Sequence, residues 1–533
     1  MTPENIELIV ACVLTATSLV GLALTFNRDL LMLQLNSYRD DRYMRWFKQN
    51  HESVTLKRLA GCIALFFLLV NSIDFFVSGI IAWLIVVGII VTLARTKYKK
   101  PLVFTKRVAR LYSVMWVISA AVIFIPAFFR PTIGKSMYLS AVLTILLMVV
   151  SPLVLLLANN LLRPVEKRIN RGFYKQAQEI LKSMPDLKII GVTGSYGKTG
   201  TKHYLHRILS EKYDVAMTPG SFNTTMGVIR TIREHLKPYN EVFIVEMGAK
   251  QPGDIKEICE LVHPRIGIIT AVGEQHLESF KSIENVQRTK FELVDALPSD
   301  GLAVVNDDFE YVANRKVDNV ATLRYAVNNT AAADYRVEDI VTGADGTSFV
   351  IRGNGVELPL KTRLVGECNV SNLTGAAIVA LSLGVEPEKI AYAVEKIEQV
   401  EHRLNIKKTA GGVTIIDDAF NSNPTGSKMA LEVLQSMTTG KRIVVTPGMI
   451  ELGDRQFELN SRLGEHIARC ADVAIVVGNY NKDAILEGIA KGGMKEEAVH
   501  PVATFHEAQT LLTPMLRPGD IVLYENDLPD TFK

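Results

Sequence analysis

Hydrophobic and polar positions fall into two regimes along this 533-residue chain. In the first 158 residues, five stretches carry no charge: 8–26, 59–73, 75–94, 111–129 and 136–158. Most reach the roughly 20 apolar residues that cross a hydrocarbon core, and the second, at 15, is shorter. About five transmembrane helices are predicted, the second and third joined by a tight hairpin at Asp74. Burial in a soluble core explains one such run more readily than five in succession. From Leu187 onward, short apolar runs alternate with helical periodicity. Strands are predicted at 188–193, 241–247, 266–271 and 301–305, and this alternation is that of a parallel α/β sheet. Residues 332–366 differ, because Asp345–Gly346 and Asn354–Gly355 flank alternating runs and predict antiparallel hairpins. A helix follows near 369–384. A second α/β series begins near 401, with strands at 413–416, 442–446, 472–477 and 519–524.

The pattern therefore gives an α-helical membrane module over 1–160 and a basic linker over 161–187. A central α/β domain follows over 188–400, and a Rossmann-like C-terminal domain over 401–533. Charge sharpens the division. Residues 1–188 hold 23 Lys+Arg against 10 Asp+Glu, whereas 189–533 hold 36 against 46, so the net +3 is a cancellation. The mean hydropathy of +0.18 is likewise an average over unlike parts. Loops 27–58 and 95–110 each carry seven Lys/Arg, and Arg163, Lys167, Arg168 and Arg171 continue the basic run. The positive-inside rule places the first terminus outside and everything beyond 158 in the cytoplasm, so the expected location is the cell membrane. Asp74 reads as a turn residue at the outer surface; a proton relay would need a second intramembrane carboxylate.

Composition narrows the function. The length excludes a single small binding module, and the charged and aromatic fractions exclude a disordered chain. Five scattered cysteines make neither a disulfide framework nor a zinc cluster. The charge balance gives no case for nucleic acid. Oligomeric state is not legible.

The first chemical signal is Gly191-Val-Thr-Gly-Ser-Tyr-Gly-Lys-Thr199, which follows a strand and opens a helix. In such a loop, backbone N–H groups and a helix N-terminus receive phosphates. Gly194, Ser195 and Gly197 shape the loop of this P-loop ATPase domain, Lys198 reaches the terminal phosphates and the Thr199 hydroxyl meets Mg²⁺. Val192 occupies the first glycine position of the usual P-loop pattern.

This loop resembles that of the Mur ligases, ATP-dependent enzymes of cell-wall precursor synthesis, and the resemblance runs from about 188 to the C-terminus. Thr218–Gly227 resembles the block placing an Asn near metal and substrate, here Asn223 followed by Thr224. Val245–Gly248 with 252–255 resembles the block whose Glu, here Glu246, binds Mg²⁺. His276, with Lys290 fourteen residues later, resembles the second metal site. Asp417–Pro424 and Met449–Gly453 are most similar to the member that adds D-alanyl-D-alanine; Asn421, Asn423 and Glu451 are the substrate-binding candidates there.

The residues keep their own physics. Glu246 ends an apolar strand, at the carboxyl edge where open α/β sheets bind ligands. His276 alone reads as a loop histidine more readily than as a ligand to so hard a cation. Lys290 alone reads as a helix-surface lysine. The resemblance implies instead that CO₂ carbamylates Lys290 into an anionic metal ligand, giving Thr199, Glu246, His276 and Lys290 as the metal set. It also implies Asn369 and Asn372 near adenine, with Cys368 replacing the usual His. Asp417 is then placed near the ribose and Arg403 on the phosphates, reached by domain closure. ATP and Mg²⁺ are the implied cofactors, and Lys198, Lys290, His276 and Arg403 the catalytic candidates.

The implied chemistry joins a carboxylate, activated as an acyl phosphate, to an amino acid or dipeptide amine. Only about 30 residues precede the first strand after the last apolar stretch, too few for the family's uridine-nucleotide domain. The expected acceptor is therefore lipid-linked or held at the membrane surface, with membrane lipids as partners. The alternative function class is a membrane-bound P-loop ATPase driving transport or signalling.

Overall fold

The computed structural model describes residues 3–49, 51–70, 75–130, 133–343, 346–420 and 422–528. The chain forms two compact units, one of Met1–Asn170 with Leu528–Lys533, the other of Arg171–Asp527.

The first unit is helical. Its helices are α1 (Pro3–Leu35), α2 (Asp40–Gln49), α3 (His51–Leu69), α4 (Phe75–Arg95), α5 (Lys106–Phe128) and α6 (Ile133–Val149), followed by the start of α7 (Ser151–Lys182). Thr105 caps α5, its hydroxyl accepting from Val108 N–H at 3.2 Å, so the helix starts where the polar residue sits. Asn5–Leu35, Phe76–Arg95 and Lys106–Phe128 are long and apolar enough to cross a membrane. The apolar part of α3, Arg58–Leu69, is shorter.

The stretch 136–158, predicted as one span, is two helices bent by 76° at Val150. Pro152 has no N–H to donate into a preceding turn but fits the first turn of a new helix, so α7 restarts there. Even with the bent pair counted as one span, the described residues give up to four spans, and the predicted five is not reached. Asp74 lies outside the described residues. The basic stretch from 161 is helical as far as Lys182, as part of α7.

The second unit holds two sheets. The larger contains β1 (Lys188–Thr193), β2 (Val215–Met217), β3 (Val242–Glu246), β4 (Ile266–Ile269), β5 (Leu302–Asn306), β6 (Ala321–Ala326), β7 (Tyr335–Gly343), β8 (Gly346–Gly353) and β9 (Val356–Thr362). Their order is 2-3-1-4-5-6-7-8-9. Strands up to β7 pair in parallel, and β7–β8 and β8–β9 are antiparallel. The central strands β1 and β3 are buried on both faces, as their Val/Ile runs require. The β8–β9 turn uses Asn354 and Gly355, both at positive φ, the conformation such hairpin turns need.

The smaller sheet contains β10 (Asn405–Lys408), β11 (Thr414–Asp418), β12 (Arg442–Thr446), β13 (Val473–Val477), β14 (Val499–Val502) and β15 (Ile521–Glu525), in the order 10-11-15-12-13-14. All its pairings are parallel except β10–β11.

Candidate active site

The carboxyl ends of β1, β3 and β4 meet at one edge of the larger sheet. After β1 the chain turns through Gly194 and Gly197 into α8 (Lys198–Leu209). Gly197 has φ +80°, and a Cβ there would lie 2.4 Å from Asn372 Oδ1; one on Gly194 would lie 2.1 Å from Thr270 Oγ1. Only glycine fits, and the loop backbone stays bare. Ser195 Oγ ties the loop to the next one, donating to Gly273 O and accepting from Gly273 N–H, both at 3.0 Å.

A cleft of about 470 Å³ opens over this edge. Ser195, Gly197, Lys198, Thr199, Asn223, Glu246, Asn369, Asn372, Arg403 and Asn423 all line it. The sheet edge, the helix Glu367–Ser382 and the C-terminal domain thus contribute to one cavity. His276, Lys290, Thr224, Asp417 and Glu451 do not line it, and Asn421 lies outside the described residues.

Lys198 Nζ donates to Gly194 O at 2.6 Å and Ser195 O at 3.2 Å. Burial pushes its pKa down to about 8; Glu246 opposes the shift and Arg403 adds to it. At the end of β3, Glu246 Oε1 accepts from Asn223 Nδ2 at 3.0 Å and Oε2 pairs with Lys202 Nζ at 3.0 Å. Burial alone would raise its pKa, but Lys202 and Lys198 together hold it below the usual carboxylate range. Sequence reasoning missed Lys202. Its signal was the four-residue step from Lys198, which puts both lysines on one face of α8.

Lys290 sits on the helix Ile283–Asp295 and is 1% exposed, not the surface lysine that its local sequence suggests. Burial holds its amine well below the ordinary lysine range, and Lys198 pushes the same way. His276, at φ +53°, bonds through Nδ1 to Glu451 of the C-terminal domain. Burial lowers its pKa against the pull of Glu451, and Lys290 lies among its charged neighbours. A second contact between the same two loops pairs Glu274 with Arg455. Arg403, half-buried, lies over the Phe420 ring, 4.5 Å from its centroid, and donates to Phe420 O at 2.9 Å. Glu246 and Asp418 are its acidic neighbours.

Other placements depart from the sequence reading. Asp417 bonds His402 Nδ1 at 2.8 Å, and its neighbour Asp418 lines the cleft instead. Successive strand residues face opposite ways, so a one-residue step exchanges the faces. Asn423 and Thr224 are helix caps, accepting from Gly426 N–H at 3.0 Å and Gly227 N–H at 3.3 Å. Asn369 accepts from Tyr204 hydroxyl at 2.7 Å and donates to Val365 O at 2.8 Å, so its amide is already engaged.

The glycine cradle and paired lysines fit a polyphosphate. Among the described residues, no group of three or more His, Cys, Asp and Glu is placed to hold a metal ion. Glu246 and the Thr199 hydroxyl, which line the cleft together, suit a hard cation shared with ligand oxygens.

Residues 192–380 match the Mur ligase middle domain and 402–524 the Mur ligase, glutamate ligase domain. The UDP-N-acetylmuramoyl-tripeptide–D-alanyl-D-alanine ligase of Bacillus subtilis is 30% identical over 342 residues, 63% of this chain and 72% of that protein. Its Mycobacterium tuberculosis counterpart is 33% identical over 366 residues, 63% and 70% of the two chains. MurF from Acinetobacter baumannii superposes with a TM-score of 0.61 at 26% identity, over 66% of this chain and 76% of that one. MurF ligase from Thermotoga maritima, in complex with ADP, gives 0.60 at 26%, over 67% and 80%. With both domains matched over more than half its length, this chain belongs to the Mur ligase family, ATP- and Mg²⁺-dependent enzymes that form carbon–nitrogen bonds.

Proposed function

We propose that the protein is a membrane-anchored ligase of peptidoglycan-type precursor synthesis, joining a D-alanyl-D-alanine-like amine to a lipid-linked carboxylate acceptor. The cleft that gathers Lys198, Glu246 and Arg403 from two domains carries the ligase reading. The names of the relatives in Bacillus and Mycobacterium support the amine and a peptide carboxylate. The three apolar helices of the first unit support anchoring in the cell membrane, with the second unit in the cytoplasm.

Bound ATP supplies the phosphoryl group that activates the carboxylate, and Mg²⁺ screens its charge. The chain's own residues do the positioning. Lys198, from the phosphate loop, and Arg403, from the C-terminal domain, bring positive charge to the phosphates, and such fixed charge costs no reorganisation during transfer. Thr199 and Glu246 would hold Mg²⁺, which supplies charge screening for the transferred phosphoryl group. In this reading Lys290 is carbamylated, since a neutral buried amine is the form that reacts with CO₂, and with His276 it would hold a second Mg²⁺. The Glu451–His276 and Arg455–Glu274 contacts hold the two loops together.

The test is hydroxylamine trapping with full-length protein, comparing lipid-linked and UDP-linked peptide acceptors. A hydroxamate formed more efficiently on the lipid-linked acceptor is the expected result. Efficient use of the UDP-linked acceptor alone defeats the lipid assignment. ATP hydrolysis without any hydroxamate defeats the ligase assignment.

A further inference from the structure

We propose that the first unit contains a binding site for a phosphate-class anion, built by Arg58 and Tyr43 beside the Arg28–Asp29 pair. It lies outside the catalytic cleft and is independent of the acceptor assigned above.

The argument starts from a charge imbalance. Arg28, near the C-terminal end of α1, is 8% exposed and donates from Nε at 3.0 Å and Nη2 at 2.7 Å to Asp29 Oδ1. Asp29 is fully buried, and its second oxygen accepts from Ser151 Oγ at 2.5 Å. Each oxygen of the carboxylate therefore already accepts a hydrogen bond.

Arg58, on α3, packs its guanidinium over the Phe47 ring, 4.1 Å from the centroid. Its Nε and Nη2 are buried and without a hydrogen-bond partner. The charged and titratable groups facing it are Asp29, Arg28 and Tyr43. Two guanidinium groups thus share one carboxylate already bonded by the first of them. Tyr43, on α2, is 0% exposed, and its hydroxyl also lacks a partner.

A buried cation without a counter-charge is strongly disfavoured, and so is a buried donor without an acceptor. Here Arg58, half-buried, shares its acidic neighbour with Arg28, and its Nε and Nη2 lack acceptors, as does the Tyr43 hydroxyl. The remedy they share is an anion bearing several oxygens. The Nε–Nη2 edge of an arginine is the edge that grips two oxygens of one oxoanion. The Tyr43 hydroxyl supplies a third donor, and the tetrahedral phosphate group can turn a separate oxygen towards each of the three. A basic, apolar helical unit meets such a group most readily as a lipid headgroup, although a free phosphate offers the same oxygens.

The test uses the full chain in phosphatidylcholine nanodiscs. Binding and thermal shift are read with four probes: polyprenyl monophosphate, phosphatidylglycerol, inorganic phosphate and pyrophosphate. At least one probe should bind and raise the melting temperature. Loss of the paired edge in Arg58→Met should weaken binding by at least about tenfold, the size of a charge-assisted hydrogen bond. Tyr43→Phe should weaken it less. Response to the lipid probes alone identifies a headgroup; response to the soluble probes identifies free phosphate; either supports the site. Without probe, Arg58→Met should melt no lower than wild type, because it removes an unanswered charge. If that variant does not fold, Arg58→Lys keeps the charge, loses the two-pronged edge and should bind several-fold more weakly. Failure of all four probes to bind wild-type protein overturns the proposal. So does full affinity in Arg58→Met or Arg58→Lys.

Discussion

Lys202 Nζ lies 3.0 Å from Glu246 Oε2, and both side chains are buried. The lysine also donates to Gly220 O at 2.6 Å. The strand-end carboxylate is therefore neutralised from below by α8, one turn beyond the phosphate loop. Replacing one member of a buried pair leaves the other charge unanswered, at a cost of about 3–5 kcal/mol. Lys202→Met should lose stability on that scale in urea unfolding, and Lys202→Met/Glu246→Gln should recover most of it. Additive losses in the double variant would show that the pair is not coupled.

Lys290 gives the second prediction. Its burial favours the neutral amine, which is the form that CO₂ modifies. Intact protein should carry the added mass of one CO₂, lost on acidification. Lys290→Ala should lose nearly all ligase activity, with partial rescue by acetate or formate, which restore a carboxylate. Wild-type activity in Lys290→Ala would remove the residue from the mechanism.

The third concerns pH. Lys198, at about 8 in the ligand-free protein, must be cationic to attract phosphate. Nucleotide affinity should therefore hold below that value and fall as pH rises through it, by at most about tenfold per unit. Titration with a non-hydrolysable ATP analogue checks this. Lys198→Met should bind weakly at every pH, with the inflection gone.

Glu525, at the end of β15, is buried, and burial and Asp418 together hold it above the usual carboxylate range. Between its unfolded and folded pKa values, the folded chain keeps a proton that the unfolded chain has released. Stability from this group is thus lost as pH rises through that window. Glu525→Gln should match wild type in mild acid and exceed it in melting temperature at mildly alkaline pH.

Much of this was legible in the residues. The Val/Ile runs of β1 and β3, and the turn residues Asn354–Gly355, mark their elements because burial and backbone sterics act locally. The break at Val150 was harder to see, since 136–158 is apolar throughout and only Pro152 signals a restart. The resemblance points to Asp417, whereas Asp418 lines the cleft, and strand alternation alone does not say which face meets it. Lys202 looked like an ordinary helix lysine. The His276–Glu451 bond joins residues 175 positions apart, a pairing that only the fold creates.

The hydrogen bonds from Lys198 to Gly194 O and Ser195 O have one more consequence. They make the loop's own carbonyls competitors for its lysine. An incoming ligand must out-compete two carbonyl dipoles before it gains the ammonium, so its apparent affinity is scaled by the fraction of molecules whose lysine is free. A singly charged oxyanion wins that exchange poorly, and a triphosphate wins it easily. The loop thereby filters ligands by charge density before any contact with the base.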